Sequence, residues 1–220
     1  MSLTEVLRQY DLELDDKKIE TLEKFADFLV SSPVNLTSLG KEDIYHKVVA
    51  EALYPLRDFP ILEEFIDVGT GGGVPGVVIG VAFDVKGILV DSRKKKISML
   101  RSFIDKENLN LEAVWSRAED LAKDKNHREK YMYSFAKAVS SIKIDLEILA
   151  PLTMVGGYVL LYKGPAWKEE MEDLWDFMEE MGVDLGDAVE YELLTGEKRA
   201  LLIFEKFKST PKKYPRRSKR

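Results

Sequence analysis

Residue types and spacing that could do chemistry first come together where an apolar run breaks into a glycine-rich turn, Phe65-Ile66-Asp67-Val68-Gly69-Thr70-Gly71-Gly72-Gly73-Val74-Pro75-Gly76. Without side chains in the way, backbone atoms there can approach a ligand closely, and a helix begins just behind them. The next apolar run, Gly87-Ile88-Leu89-Val90, ends on Asp91 with Ser92 beside it. A carboxylate at that place can accept both hydroxyls of a ribose, or it can cap the following helix. A third run leads into Ser116-Arg117-Ala118-Glu119-Asp120, where a backbone amide and a carboxylate can read an adenine edge or start a helix. The three segments together describe a binding site for a nucleoside.

Gly71, Gly73 and Gly76 satisfy the pattern G-x-G-x-x-G, so a nicotinamide dinucleotide is one candidate ligand. Three features favour S-adenosylmethionine instead. Asp67 stands at the strand end, where a carboxylate can help hold a cationic amine directly or through water. Gly69 and Gly71 extend the glycine pattern back toward the strand. Pro75 occupies the turn where a dinucleotide fold needs its helix to receive a pyrophosphate. S-adenosylmethionine has no phosphate, but it carries an ammonium, a carboxylate and a ribose diol.

Positioning such a site takes a sheet and flanking helices. From residue 64 onward, short apolar runs alternate with helical stretches, which predicts a mostly parallel sheet wrapped by helices. The strands are expected at 65–68, 87–90, 111–115, 132–136, 155–162, 188–194 and 200–207. Only Thr195-Gly196-Glu197-Lys198 separates the last two, which suits a hairpin and an antiparallel edge. Before the sheet, Ile19, Leu22, Phe25, Ala26 and Leu29 recur at helical spacing behind Asp15 or Asp16 as a cap, Pro33 interrupts, and a further helix covers about 42–57. A helix over 167–181 would place Trp167, Met171, Leu174, Trp175, Met178 and Met181 on one core-facing stripe. The expected organisation is a helical extension (1–60), a catalytic domain (61–207) and a basic tail (208–220).

With 220 residues, 45% of them apolar, the chain can bury a full core. No apolar run approaches the roughly 20 residues that span a bilayer, and the N-terminus does not read as a signal peptide, so a soluble, cytoplasmic protein without a membrane partner is expected. Cys is absent and only His46 and His127 are present, which removes a Cys nucleophile and leaves no metal centre to expect. The net charge of -6 hides an asymmetry: eight of the 33 basic residues lie in Lys206–Arg220 with no acid among them, while the remaining 25 face 39 acids. A basic extremity on an acidic body points to a nucleic-acid contact. Pro211 and Pro215 predict an extended tail in which Lys212, Lys213, Arg216 and Arg217 follow a phosphate backbone and Tyr214 stacks on a base; a plain solubility tail is the other reading. Arg93, Lys94 and Lys95 are further candidates for phosphate contact, or else a solvated helix face. No feature points to a stable protein partner.

Over nearly its whole length the sequence resembles the bacterial 16S ribosomal RNA 7-methylguanosine methyltransferase family, also called glucose-inhibited division protein B. The matching segments are Asn35-Leu36-Thr37-Ser38, Ile66-Asp67-Val68-Gly69-Thr70-Gly71, Leu89-Val90-Asp91-Ser92, Ser116-Arg117-Ala118-Glu119, Tyr162-Lys163-Gly164 and Thr210-Pro211-Lys212-Lys213-Tyr214-Pro215-Arg216-Arg217. Their order and spacing, more than any one of them, carry the resemblance. It implies a Rossmann-like S-adenosylmethionine-dependent methyltransferase fold: seven strands, mostly parallel, the last antiparallel, with helices at the N-terminus. It also implies cofactor contacts at Gly69, Val74, Ala118, Glu119 and Lys137, with Lys137 near the reacting centre, and 16S rRNA or the small ribosomal subunit as partner. In three places the chain departs from the family's pattern. Lys137 stands where the family has Arg, Gly72 where Pro is common, and Lys47-Val48 where an Arg-His pair is usual.

The ring nitrogen at position 7 of guanine has a lone pair and no proton, so it can attack a sulfonium methyl in line without a general base. The enzyme then works by holding the partners in near-attack geometry and excluding water. The sequence has no Cys for covalent attack on a pyrimidine carbon, and no Asn/Asp-Pro-Pro-aromatic motif for exocyclic amines after the fourth strand. The position 7 edge faces the deep, narrow groove of A-form RNA, so the target belongs in a loop or a distorted element. A nicotinamide-dependent dehydrogenase, a methyltransferase of proteins or small molecules, and a noncatalytic RNA-binding module are the competing readings.

Overall fold

The computed structural model describes residues 1–34 and 36–216. Helix α1 (Leu3–Gln9) starts on a capping box in which Ser2 and Glu5 satisfy each other's backbone amides, and α2 (Asp16–Ser31) starts on Asp15, whose carboxylate accepts from the Lys18 amide at 2.9 Å. The apolar spacing in α2 buries Leu22, Phe25, Ala26 and Leu29. The helix expected at 42–57 is a chain of helical pieces: α3 (Lys41–Ile44), a π-helical turn (Tyr45–Ala50), α4 (Glu51–Leu53) and a 3-10 turn (Tyr54–Leu56).

Among the described residues seven strands form one sheet: β1 (Phe65–Val68), β2 (Gly87–Asp91), β3 (Leu111–Trp115), β4 (Tyr131–Lys137), β5 (Thr153–Lys163), β6 (Val183–Glu192) and β7 (Lys198–Lys206), in the order β3-β2-β1-β4-β5-β7-β6. Strands β1 to β5 are parallel; β7 runs antiparallel between β5 and β6. Crossovers are made by α5 (Gly76–Phe83), α6 (Lys94–Lys106), α7 (Ala118–Leu121) and α8 (Ile142–Leu149), with α9 (Trp167–Met171) and α10 (Trp175–Met181) before the closing hairpin. Side chains alternate across the sheet. Phe65, Leu89, Phe135 and Leu160 face α5, α6 and the N-terminal helices, while Ile66, Val90, Ala136 and Leu161 face α8 and α10. Both faces are therefore covered, as a parallel sheet requires.

Two sequence expectations need correction. The stretch 167–181 is two helices, because the chain turns at Glu172–Asp173, where Asp173 takes φ 60°. The turn resets the apolar phase from Trp167 and Met171 to Leu174, Met178 and Met181, and leaves Trp175 63% exposed. Strand β6 starts at Val183, five residues earlier than its apolar pattern suggested. It is the sheet edge, so Asp184 and Asp187 point to water while its backbone pairs with β7, through a bulge between Leu185 and Asp187. No described helix is long and apolar enough to cross a membrane.

Candidate cofactor cleft and its surroundings

The glycine-rich turn is tied down from both sides. The amides of Gly69 and Thr70 donate to the Val90 carbonyl at 2.8 and 3.0 Å, which docks the end of β1 on β2. Underneath, Asp67 Oδ2 accepts from Thr70 Oγ1 at 2.7 Å and from the Gly76 amide at 2.9 Å. Gly76 has to be glycine because a Cβ there would lie 2.2 Å from Leu89 Cδ2, and Gly69 because it takes φ +75° with Val139 Cγ2 2.6 Å from where a Cβ would be. Asp67 is fully buried, so of the two contacts expected with a ligand's amine, direct or through water, the direct one is not made from this position: its carboxylate braces the turn from below. Burial raises its pKa to about 7 against the lowering effect of those two hydrogen bonds. Oδ1 has no hydrogen-bond partner among the described residues.

Above the turn, at the C-terminal ends of β1, β2 and β4, lies an open cleft of about 270 Å³. It brings together Gly69, Asp91, Ser92, Ala118 and Glu119 of the expected set, with Arg93 at the rim. Asp91 is only 4% exposed and accepts from the Gly71 amide at 3.0 Å and the Arg93 amide at 2.8 Å, so Gly71 acts by holding this carboxylate. The Arg93 guanidinium also donates to both Asp91 oxygens, Nε at 3.2 Å and Nη2 at 3.4 Å. Val74 is not part of the cleft; it packs on the core formed with the N-terminal helices. Val139 and Ile148 also line the cleft and were not singled out in the sequence, where single apolar residues carry no site signal. The loop carrying Val139 is anchored by the buried Lys163, whose ammonium donates to the Ser140 carbonyl at 2.6 Å and pairs with Asp145 at 2.9 Å.

Lys137 does not line the cleft. Strand alternation puts it on the face of Tyr133 and Phe135, where its ammonium donates to the Lys47 carbonyl at 3.0 Å and pairs with Glu51 at 3.1 Å. Burial lowers its pKa and Glu51 opposes that shift. Glu51, buried and shared with Arg199 at 3.1 Å, escaped the sequence reading, although a carboxylate inside Val48-Val49-Ala50-Glu51-Ala52-Leu53 is the kind of interruption that marks a buried partner.

Of the basic residues, Lys95 is exposed, and Lys94 lies over the Trp115 ring. The expected free tail is corrected over its described part. Tyr214 is only 5% exposed, against Phe177, with its hydroxyl donating to Glu180 at 3.0 Å, so it cannot stack on a base. Arg128 donates to the carbonyls of Thr210, Pro211 and Tyr214 at 2.8, 3.2 and 2.9 Å. Acids that are remote in sequence neutralise the segment: Glu180 pairs with Lys213, and Glu147 with Arg216. Lys212 is exposed, and Arg217 lies outside the described residues. No cluster of His, Asp or Glu among the described residues could hold a metal ion.

The strand order with its reversed β7, the glycine turn on β1 and the acid closing β2 define a methyltransferase of the S-adenosylmethionine-dependent class. The fold is similar to that of the fibrillarin pre-rRNA processing protein of Methanococcus jannaschii, with a TM-score of 0.54 and 13% identity over 67% of this chain and 68% of that one. The family described as GidB, rRNA small subunit methyltransferase G, matches residues 18–199. The chain is 40% identical to ribosomal RNA small subunit methyltransferase G of Pseudothermotoga lettingae over 99% of its own length and 96% of that protein's. It is 40% identical to the protein of the same description from Thermotoga maritima over 98% and 91%. The chain belongs to the rRNA small subunit methyltransferase G family, and S-adenosylmethionine is the family's cofactor. The residues present fit it: Asp91 offers an ionisable acceptor for a diol, and the turn at Gly69 leaves backbone open to the cleft.

Proposed function

We propose that the chain methylates the ring nitrogen at position 7 of a guanine in 16S rRNA. The observation that carries this reading is the buried Asp91 carboxylate, held by the Gly71 amide at 3.0 Å and opening into the cleft beside Gly69. When bound, S-adenosylmethionine supplies an electrophilic methyl group on a sulfonium. Asp91 and Ser92 then hold the ribose, Ala118 and Glu119 read the adenine, and Gly69 lets the backbone come close. Asp67 keeps the turn rigid beneath them, and Lys137, paired with Glu51 on the other face of the sheet, supports the end of β4 and acts on the cleft only by positioning that strand. No residue has to remove a proton, because the acceptor nitrogen has none. Lys95, Lys212 and Arg217 meet phosphates, with Arg93 at the cleft rim and Lys94 over the Trp115 ring, while Lys213 and Arg216 are held by Glu180 and Glu147. Residues 1–60 serve as a helical extension of the catalytic unit 61–207, and the enzyme works in the cytoplasm on ribosomal RNA.

Methyl transfer from labelled cofactor, run separately on small ribosomal subunits, deproteinised 16S rRNA and a mixture of proteins, tests this reading. Label is expected in rRNA and, after digestion, in 7-methylguanosine. Label in protein alone, or in a different nucleoside, overturns the proposal.

A further inference from the structure

Trp115 ends β3, the edge strand opposite β6, and is 54% exposed. Isolated exposed hydrophobic residues are ordinary, but this one is held in place. Its indole N–H donates to the Ser92 carbonyl at 3.0 Å, and the Lys94 ammonium lies 4.9 Å from the ring centroid. Ser92 itself lines the cofactor cleft, as do Ser116 and Arg117, which follow Trp115 directly; the indole is not part of that lining. Lys95 and Arg117, close in sequence to Lys94 and Trp115, are exposed as well, and Arg93 is exposed but paired with Asp91, on a chain whose net charge is -6.

An oriented aromatic face among cations matches an unpaired nucleotide: the ring stacks on the base and the cations meet its phosphates. A guanine reaches a methyl group in a cleft only after leaving its own stack, and its neighbours then lose a stacking partner too. We propose that Trp115, backed by Lys94, is a stacking platform for an unpaired base flanking the target guanine. This rests on rRNA being the substrate. It places one base of the substrate at the β3 edge of the cleft, on an indole hydrogen-bonded to Ser92, one of the groups proposed to hold the cofactor.

The test compares Trp115→Ala and Trp115→Phe with wild type, using 16S rRNA as substrate and calorimetry for S-adenosylmethionine. Trp115→Ala is expected to raise the KM for rRNA about tenfold, the scale of one lost base stack, and Trp115→Phe to recover most of it. Both should leave cofactor affinity unchanged, and RNA should quench wild-type tryptophan emission more than that of Trp115→Phe. An unchanged KM in both variants overturns the platform while leaving rRNA as the substrate. Lost cofactor affinity with an unchanged KM for RNA also overturns it, by assigning the indole to the adenosine. A wild-type enzyme that methylates no rRNA overturns the platform together with the reading it rests on.

Discussion

Asp91 and Asp67 lie on neighbouring strands and do different work. Asp91 faces the cleft with its charge satisfied by the Gly71 and Arg93 amides and the Arg93 guanidinium. Asp91→Ala is expected to weaken S-adenosylmethionine binding by roughly 2–3 kcal/mol, the loss of charge-assisted hydrogen bonds; calorimetric titration of a variant with intact circular dichroism checks this. Asp67 is buried, with a pKa raised to about 7 from 3.8. Below the lower value the carboxyl is protonated in folded and unfolded chains alike. As pH rises toward 7 the unfolded chain releases the proton and the folded one keeps it, so stability falls, by on the order of 4 kcal/mol across the window. Asp67→Asn cannot ionise and keeps an oxygen for Thr70 and Gly76. Urea unfolding should therefore show the variant gaining on wild type as pH rises from the acid end of the window and levelling off above its upper end. A stability difference that does not change with pH would mean that the folded chain accommodates the Asp67 charge.

At the scale of elements, the C-terminal ends of β1, β2 and β4 carry groups on both faces of the sheet, and alternation assigns them: Val68 and Val90 to the cleft, Lys137 to the N-terminal helices. Lys137→Ala leaves Glu51 buried with Arg199 alone, and a broken buried pair costs about 3 kcal/mol. Denaturation should show that loss, Lys137→Arg should restore most of it, and rRNA methylation should follow the same order. A fully active, fully stable Lys137→Ala would show that neither the pair with Glu51 nor the ammonium is needed at this position. The strands were legible in the sequence because β1, β2 and β4 are short apolar runs between turn residues, and Asp91 because it closes one of them. The partition between faces was not legible for Lys137. The resemblance set it beside the cofactor, while its actual partners, Glu51 and the Lys47 carbonyl, come from a helix some 90 positions away. The break at Asp173 was hidden for a related reason: Leu174 and Trp175 both continue a helical stripe on paper, and only packing decides which of them is buried.

Across the whole molecule, the C-terminal segment is part of the body. Its eight cations, counted from Lys206, have no acid among them, yet Glu129, Glu147 and Glu180 meet Lys206, Arg216 and Lys213 in space, an arrangement that linear charge counting cannot show. Removing 208–220 should uncover Arg128 and the core around Tyr214 and lower Tm by on the order of 10 °C. Removing only 217–220 should weaken rRNA binding and flatten its salt dependence, since fewer counterions are released. Identical salt slopes for the shortened and complete chains would take the last residues out of the RNA contact. The place of β7 in the sheet has a consequence for synthesis. The cofactor half, β1 to β4, pairs within the first 137 residues, but β5 keeps an open edge and β6 has no neighbour until Lys198–Lys206 slides between them. A chain emerging from the ribosome therefore carries two unsatisfied strand edges until Lys198–Lys206 has been made, and translation that stops short of β7 yields sticky, incomplete molecules in place of partly active ones.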